Sequence, residues 1–408
     1  MAVYDMDDAL STARNRHTPT TALNQTSNPT AESSRRYDRP IAAAQEDGLP
    51  IIDISSYLDP TSSLEARETT AAAINAACVN YGFFYLTGHG IPNSKLDEIV
   101  DLARRFFALP LEEKNKIKRY DAGGPEGGDS ARGYQGLGEN VTGGLQDMQE
   151  AIDFYRPWDH AGAKEEEGDG GPGTRKTLQG PNLWPDEPSE LRDVYERYIE
   201  EVTEVGRALV RAMGVALDLG PAQANADRST EDEEVFVRHC DESFWVMRMI
   251  NYPPLPPSAK PTNTDGEEED LSQFSCGAHT DYGCVTLLLT DPTPGALQVQ
   301  LKDGTWLPAD PIPGAFVVNI GDMIERWTNG IWKSTMHRVI HRGDGGENGQ
   351  GRISVPFFFE PNFDAMVKPL DKCVKESGRP RMHEGSTYGE HLLTKVFSNF
   401  YYSKRTDW

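Results

Sequence analysis

The second half of the chain never sustains an apolar stretch for long. VFVRH (235–239), FWVMRMINY (244–252), CVTLLLT (284–290), ALQVQ (296–300), AFVVNIG (315–321), STMHRVIH (334–341) and RISVPFFFEP (352–361) are short, β-rich runs separated by Gly, Pro and Asp. No pattern of helix length lies between them. Short strands at turn-bounded intervals cannot bury themselves one at a time. The pattern predicts a barrel-like antiparallel sandwich.

Upstream the texture is mixed. LPIIDISSYL (49–58) reads as a β-branched strand, ARETTAAAINAACVNYG (66–82) as a helix, and FFYLTGHG (83–90) as a strand ended by glycines. NSKLDEIVDLARRFFALPLEEKNKI (93–117) predicts an amphipathic helix interrupted near Pro110. Residues 121–182 are Gly-rich and predicted as loop, including the acidic KEEEGDGGPG. The longest helix is expected over 187–219, where Val194, Tyr198, Val202, Val205, Leu209 and Met213 recur at helical spacing. YGEHLLTKVFSNFYY (388–402) predicts a last helix, and residues 1–45 are polar enough to predict a flexible extension.

Charge narrows the partners. The 408 residues carry a formal net charge of −24, which repels nucleic acid and anionic membrane. The acidic runs DRSTEDEE (227–234) and NTDGEEEDLSQ (263–273) lack the residue order of a calcium loop and read as solvated. A small-molecule substrate is expected, with no nucleic acid and no membrane; monomer and homodimer both remain open. Five scattered cysteines without a CxxC predict a reducing compartment. The start of the chain has no signal-peptide pattern, and cytoplasmic localisation is expected.

Two of these runs carry charged or metal-binding side chains that burial would penalise. In GAHTDYGCVTLLL (277–289), His279 and Asp281 stand two apart, and on an extended strand both point to one side. A buried carboxylate needs a partner or a metal. His337 supplies a third ligand; His341 is a rival, but the Arg-Gly-Asp-Gly after it reads as a strand end. Two imidazoles and one carboxylate form the facial set of non-haem Fe(II) oxygenases, although zinc accepts the same ligands. Arg352 and Ser354 are also two apart on a strand. An arginine fork beside a hydroxyl suits a carboxylate, and a buried Arg–Glu pair is the bland alternative.

HTD (279–281), TNGIWKSTMHRV (328–339) and RIS (352–354) together resemble the isopenicillin-N-synthase-like branch of the Fe(II)/2-oxoglutarate-dependent dioxygenases. PIIDIS, CVNYGFFYLTGHGIP, LARRFFALPLEEK, RGYQGLGE, GPNLWP and MRMINYPPLPP extend the likeness over about 49–400. The resemblance implies a mainly β fold with flanking helices, a double-stranded β-helix or distorted jelly roll. It divides the chain into an extension (1–45), an α/β region packed on the barrel (46–235) and the jelly-roll core with its C-terminal helix (236–408).

It further implies His279, Asp281 and His337 as catalytic metal ligands. Arg352, Ser354, Tyr252 and Arg248 are implied as binders of 2-oxoglutarate, Arg248 from a basic position facing the site. Fe(II) is the implied metal, 2-oxoglutarate and O2 the co-substrates, and ascorbate a support for activity. Ile250 stands where plant members often carry Asn. Tyr282, Trp332 and Phe358 are expected as substrate-pocket walls.

The expected reaction is oxidation, foremost hydroxylation, of a C–H bond with release of succinate and CO2. Desaturation, ring closure, ethylene formation and an oxidase without 2-oxoglutarate are the alternatives within the family. A non-catalytic ligand-binding scaffold is the alternative outside it. A zinc hydrolase is disfavoured because no H-E-x-x-H occurs.

Overall fold

A computed structural model describes residues 48–119, 131–142, 145–158, 178, 180–217, 230–254, 274–340 and 351–401. The chain begins with β1 (Ile51–Asp53), α1 (Ser55–Leu58), α2 (Leu64–Asn80), β2 (Phe83–Thr87), α3 (Asn93–Phe107) and α4 (Leu111–Asn115). Next come β3 (Gly133–Gln135), the small hairpin β4 (Val141–Thr142) and β5 (Leu145–Gln146), and β6 (Glu150–Tyr155). Helices α5 (Leu191–Leu217) and α6 (Thr230–Val237) precede β7 (Val246–Tyr252), β8 (Phe274–His279), β9 (Val285–Thr290), β10 (Leu297–Gln300) and β11 (Trp306–Pro308). β12 (Phe316–Ile320), α7 (Asp322–Trp327), β13 (His337–Ile340) and β14 (Arg352–Phe359) follow. β15 (Met366–Val367), α8 (Asp371–Ser377), β16 (Ser386–Thr387) and α9 (Tyr388–Tyr401) end the described chain.

From β7 to β10, and again from β12 to β14, the chain crosses between two sheets at each step. The larger sheet runs β1-β2-β12-β9-β14-β7-β6-β3 and the smaller β11-β10-β13-β8. That alternation is the double-stranded β-helix expected from the sequence, a jelly roll with helices packed on its outer side. Strand β14 lies at its centre, paired antiparallel to β9 on one edge and β7 on the other.

Helix α5 covers the back of this sheet. All six of its predicted core positions, Val194, Tyr198, Val202, Val205, Leu209 and Met213, are buried. Gly206 lets the helix approach β14: a Cβ there would stand 2.6 Å from the ring of Phe359. A buried polar network ties α4 to the sheet. Glu150 Oε2 accepts from Lys114 Nζ (2.7 Å) and the Tyr134 hydroxyl (2.6 Å), and Glu150 Oε1 from Asn251 Nδ2 (2.9 Å). With every charge partnered, the network can be buried without stranding an ion.

Four expectations change. Of 49–58 only Ile51–Asp53 is strand, and Ser55–Leu58 turns into helix where Asp53 Oδ1 accepts from Ser55 N at 2.8 Å. VFVRH is not a strand, because Val235–Val237 finish α6 and Phe236 is buried against Trp327 and Trp332. The predicted loop 121–182 contains β6 and β3, which extend the edge of the larger sheet, and the separate hairpin of β4 and β5. Finally, a six-residue helix, Asp322–Trp327, interrupts the β-rich half. Residues 1–45, the acidic KEEEGDGGPG and NTDGEEEDLSQ runs, and His341 lie outside the described residues. Among the described residues no helix is long and apolar enough to cross a membrane.

Gly206→Ala should destabilise the fold by about 1–3 kcal/mol, the usual cost of overpacking a filled core. Urea unfolding followed by circular dichroism checks this, and an unchanged midpoint would contradict the close approach of α5 to β14.

Candidate active site

His279 and Asp281 do not share a strand as expected. His279 is the last residue of β8, and Asp281 sits in the turn that carries the chain to β9 in the other sheet. His337 opens β13 and is paired directly across from His279. The two imidazole centroids lie 4.3 Å apart. His279 Nε2 is 3.8 Å and His337 Nε2 3.7 Å from Asp281 Oδ1. The three candidate ligand atoms all lie within 4.8 Å of one another.

Neighbours fix which atom each residue presents. His279 Nδ1 is 2.7 Å from Gly277 O, and His337 Nδ1 is 3.1 Å from Thr335 O. With Nδ1 donating to a carbonyl, each ring turns Nε2 toward Asp281, the nitrogen a metal would take in place of a proton. Asp281 Oδ2 accepts from Asn319 Nδ2 (2.7 Å) and the Thr286 hydroxyl (2.5 Å), so Oδ1 faces the histidines. Phe83 meets the His337 ring edge-on at 5.2 Å.

The titrations follow from this packing. Burial pushes the Asp281 carboxyl up, but the two imidazoles and the Asn319 and Thr286 hydrogen bonds outweigh it and hold the carboxyl below its usual range. Burial, helped by His279, pulls His337 down to about 4. At His279 burial pulls the same way but is overcome, chiefly by the Cys276 sulfur and also by Asp281, which raise it to about 10. A second carboxyl, Glu360, is pushed up to about 8, first by burial and then by Asp281. Of these two carboxyls, Asp281 is therefore the one that faces the imidazoles as a carboxylate. Glu360 Oε2 accepts from Cys284 N at 2.8 Å and occupies the space a side chain at Gly283 would need.

These groups line a cavity of about 200 Å³ between the two sheets. Arg352 and Ser354 enter it from β14, in register with Tyr252 and Ile250 of β7. The Arg352 guanidinium carbon lies 5.3 Å from the centre of the Tyr252 ring. Arg352 is buried, and its Nε and Nη1 have no hydrogen-bond acceptor among the described residues. Its strand is anchored one residue away: Asp291 Oδ2 accepts from Ile353 N (2.9 Å) and from Arg104 Nη2 (2.7 Å).

Arg248, Tyr282 and Phe358 also line the cavity. Trp332 does not. It is fully buried in the helix-covered core, donating from Nε1 to Asn75 Oδ1 at 2.9 Å, so its expected place over the site is wrong. The sequence reading missed Thr286, Asn319, Asp153, Tyr388 and Glu360, all of which line the cavity. Asp153 was hidden in the stretch predicted as loop, although EAIDFY is itself a plausible strand. The others look like ordinary residues of apolar runs, and only the fold brings them to the metal ligands.

Known proteins carry the same architecture. Residues 49–187 match the family described as non-haem dioxygenase in morphine synthesis N-terminal, and residues 244–361 match the 2OG-Fe(II) oxygenase superfamily. A homoarginine-6-hydroxylase of Arabidopsis thaliana is 40% identical over 361 residues, covering 86% of this chain and 97% of the relative. One from Oryza sativa subsp. japonica is 40% identical over 357 residues, with the same coverage of 86% and 97%. Among solved structures, a Neurospora crassa protein crystallised with alpha-KG and 5-formyluracil shares the fold at TM-score 0.66 and 24% identity, covering 88% of this chain and 99% of that one. A putative 2OG-Fe(II) oxygenase family protein of Caulobacter crescentus aligns at TM-score 0.65 and 27% identity, covering 86% and 99%. With relatives this similar along nearly their whole length, the chain belongs to the 2OG-Fe(II) oxygenase superfamily and is a 2-oxoglutarate-dependent dioxygenase that uses Fe(II).

Proposed function

We propose that this dioxygenase hydroxylates a C–H bond of a small organic molecule in the cytoplasm. His279, Asp281 and His337 hold Fe(II), and Arg352, Ser354 and Tyr252 grip the distal carboxylate of 2-oxoglutarate. The observation that carries the reading is the buried Arg352 guanidinium with two donors unpaired among the described residues, in the same cavity as three converging ligand atoms. Leaving such donors dry is costly, and an anionic carboxylate is the partner a buried guanidinium calls for. The names of the relatives favour hydroxylation, and homoarginine is the first compound to test. The net charge of −24 favours a small molecule over a nucleic acid.

When bound, Fe(II) with 2-oxoglutarate and O2 supplies the oxidising power: R–H becomes R–OH while 2-oxoglutarate becomes succinate and CO2. The chain's own residues set the geometry. Gly277 and Thr335 carbonyls aim the two Nε2 atoms, and Asn319 and Thr286 turn Asp281 so that Oδ1 faces them. Arg352 fixes the far end of the keto acid. Tyr282 and Phe358, half-buried on the cavity wall, place the substrate and keep bulk water from the reacting bond.

His279→Ala, His337→Ala and Asp281→Glu should each lose bound iron and succinate formation while keeping the circular dichroism of the parent. Asn319→Ala should weaken iron binding by about 10–100-fold, as loss of an outer hydrogen-bond partner does. Iron titration against each variant is the measurement, and full iron occupancy in either histidine variant would reject the assignment.

Arg352→Lys keeps the charge and loses the fork. It should raise the 2-oxoglutarate concentration for half-maximal rate by at least about tenfold, with Ser354→Ala shifting it less in the same direction. Steady-state titration of 2-oxoglutarate checks this. An unchanged half-saturation would place the co-substrate elsewhere.

A further inference from the structure

The cavity holds a second arginine that the co-substrate does not need. On the oxygenase reading above, one carboxylate of 2-oxoglutarate goes to Arg352 and the other to the metal. Arg248 is four residues along β7 from Tyr252, roughly 14 Å away at the rise of an extended strand. It sits on the same face of the strand and also lines the cavity.

Arg248 is paired directly across from Asp153 of β6, and its Nε lies 3.0 Å from Asp153 Oδ1. That ion pair does not use up the guanidinium, because Nε and Nη2 are both buried without a hydrogen-bond partner among the described residues. Asp153 Oδ2 accepts from Gln135 Nε2, and Asp153 lines the cavity while almost fully buried. The corner therefore offers an unused donor of one charge beside a carboxylate of the other.

A substrate carrying only a carboxylate would approach Arg248 and meet the negative charge of Asp153. A neutral substrate would leave the Nη2 donor unpaired. A molecule with a carboxylate and an ammonium on one carbon answers both.

We propose that Arg248 and Asp153 form the head-group site of a free α-amino acid, Arg248 holding its carboxylate and Asp153 its ammonium, and that an amino acid is the primary substrate. This assigns Arg248 to the primary substrate and not to 2-oxoglutarate. The proposal rests on the oxygenase reading.

The test is calorimetric titration of the full chain loaded with Fe(II) and 2-oxoglutarate in the absence of O2. The probes are the common L-amino acids with L-homoarginine, and each one that binds is compared with its carboxamide and its Nα-acetyl derivative. A free amino acid should bind, and both blocked forms should bind at least about tenfold more weakly. Arg248→Met should abolish the difference between acid and carboxamide. Asp153→Asn should abolish that between amine and acetyl form, and both variants should keep the parent's affinity for 2-oxoglutarate. The proposal is overturned if no amino acid binds, if the blocked forms bind equally well, or if Arg248→Met weakens 2-oxoglutarate and spares the amino acid. The comparison of blocked forms on the unaltered chain decides the matter even where a variant fails to fold. Failure of the oxygenase reading would show separately, as no succinate released from 2-oxoglutarate by the iron-loaded protein.

Discussion

Hydrogen-bonded register on both edges of β14 fixes the relation between the two halves of the site. One edge pairs Ser354 with Thr290 and Phe358 with Thr286, which ties the strand to β9 and, through Thr286, to Asp281. The other pairs Arg352 with Tyr252 and Ser354 with Ile250. A slip of one residue on either edge would turn Arg352 and Ser354 into the helix-covered core. Such a slip would move the guanidinium out of the cavity, where an anion can reach it, into apolar packing where none can, a penalty of several kcal/mol by the usual cost of a buried charge. Gly206 behind the strand and Asp291 at its start hold the register from outside the cavity.

Asp281 poses the main electrostatic problem. Taking a carboxylate out of water costs several kcal/mol. Hydrogen bonds to a charged group return about 1.5–3 kcal/mol each, and Asn319 and Thr286 supply two of them. The imidazoles add attraction, and the balance keeps the carboxyl ionised. Both donors go to Oδ2. Stabilisation and orientation are thus the same contacts, and the ligand atom is left bare because its partner atom is saturated. Glu360 also accepts hydrogen bonds, from Cys284 N and Tyr388, but it faces Asp281 and Asp322 where Asp281 faces imidazoles, and burial holds it nearer to its neutral form.

Residues that announce themselves by charge in an apolar run were legible from sequence. His279, Asp281, His337, Arg352 and Ser354 all converge on one cavity. The reason given for the first pair was nonetheless mistaken: the turn after β8, not strand alternation, brings Asp281 beside His279. Trp332 was misplaced because proximity in sequence to His337 says nothing about which side of a turn faces the cavity. Segment 235–239 has strand-forming residues, but packing of Phe236 on two tryptophans overrides local preference and ends a helix there. Strand β6 escaped notice because its neighbours are rich in glycine, and with it went Asp153.

Ile250 gives the departure from the plant pattern a physical meaning. Along β7, Arg248, Ile250 and Tyr252 face the cavity in succession, while Met247, Met249 and Asn251 alternate to the other side. The Ile250 rung meets Ala151 on one edge, so an apolar step separates the Tyr252 end from the Arg248–Asp153 pair. An amide at this position would offer hydrogen bonds to anions on either side and blur the two. An isoleucine offers none, and it lowers the local polarity between two arginines whose charges would otherwise share ligands. On the proposal that Arg248 serves the substrate, two carboxylate-bearing molecules would share one small cavity, and such a partition lets each settle at its own arginine.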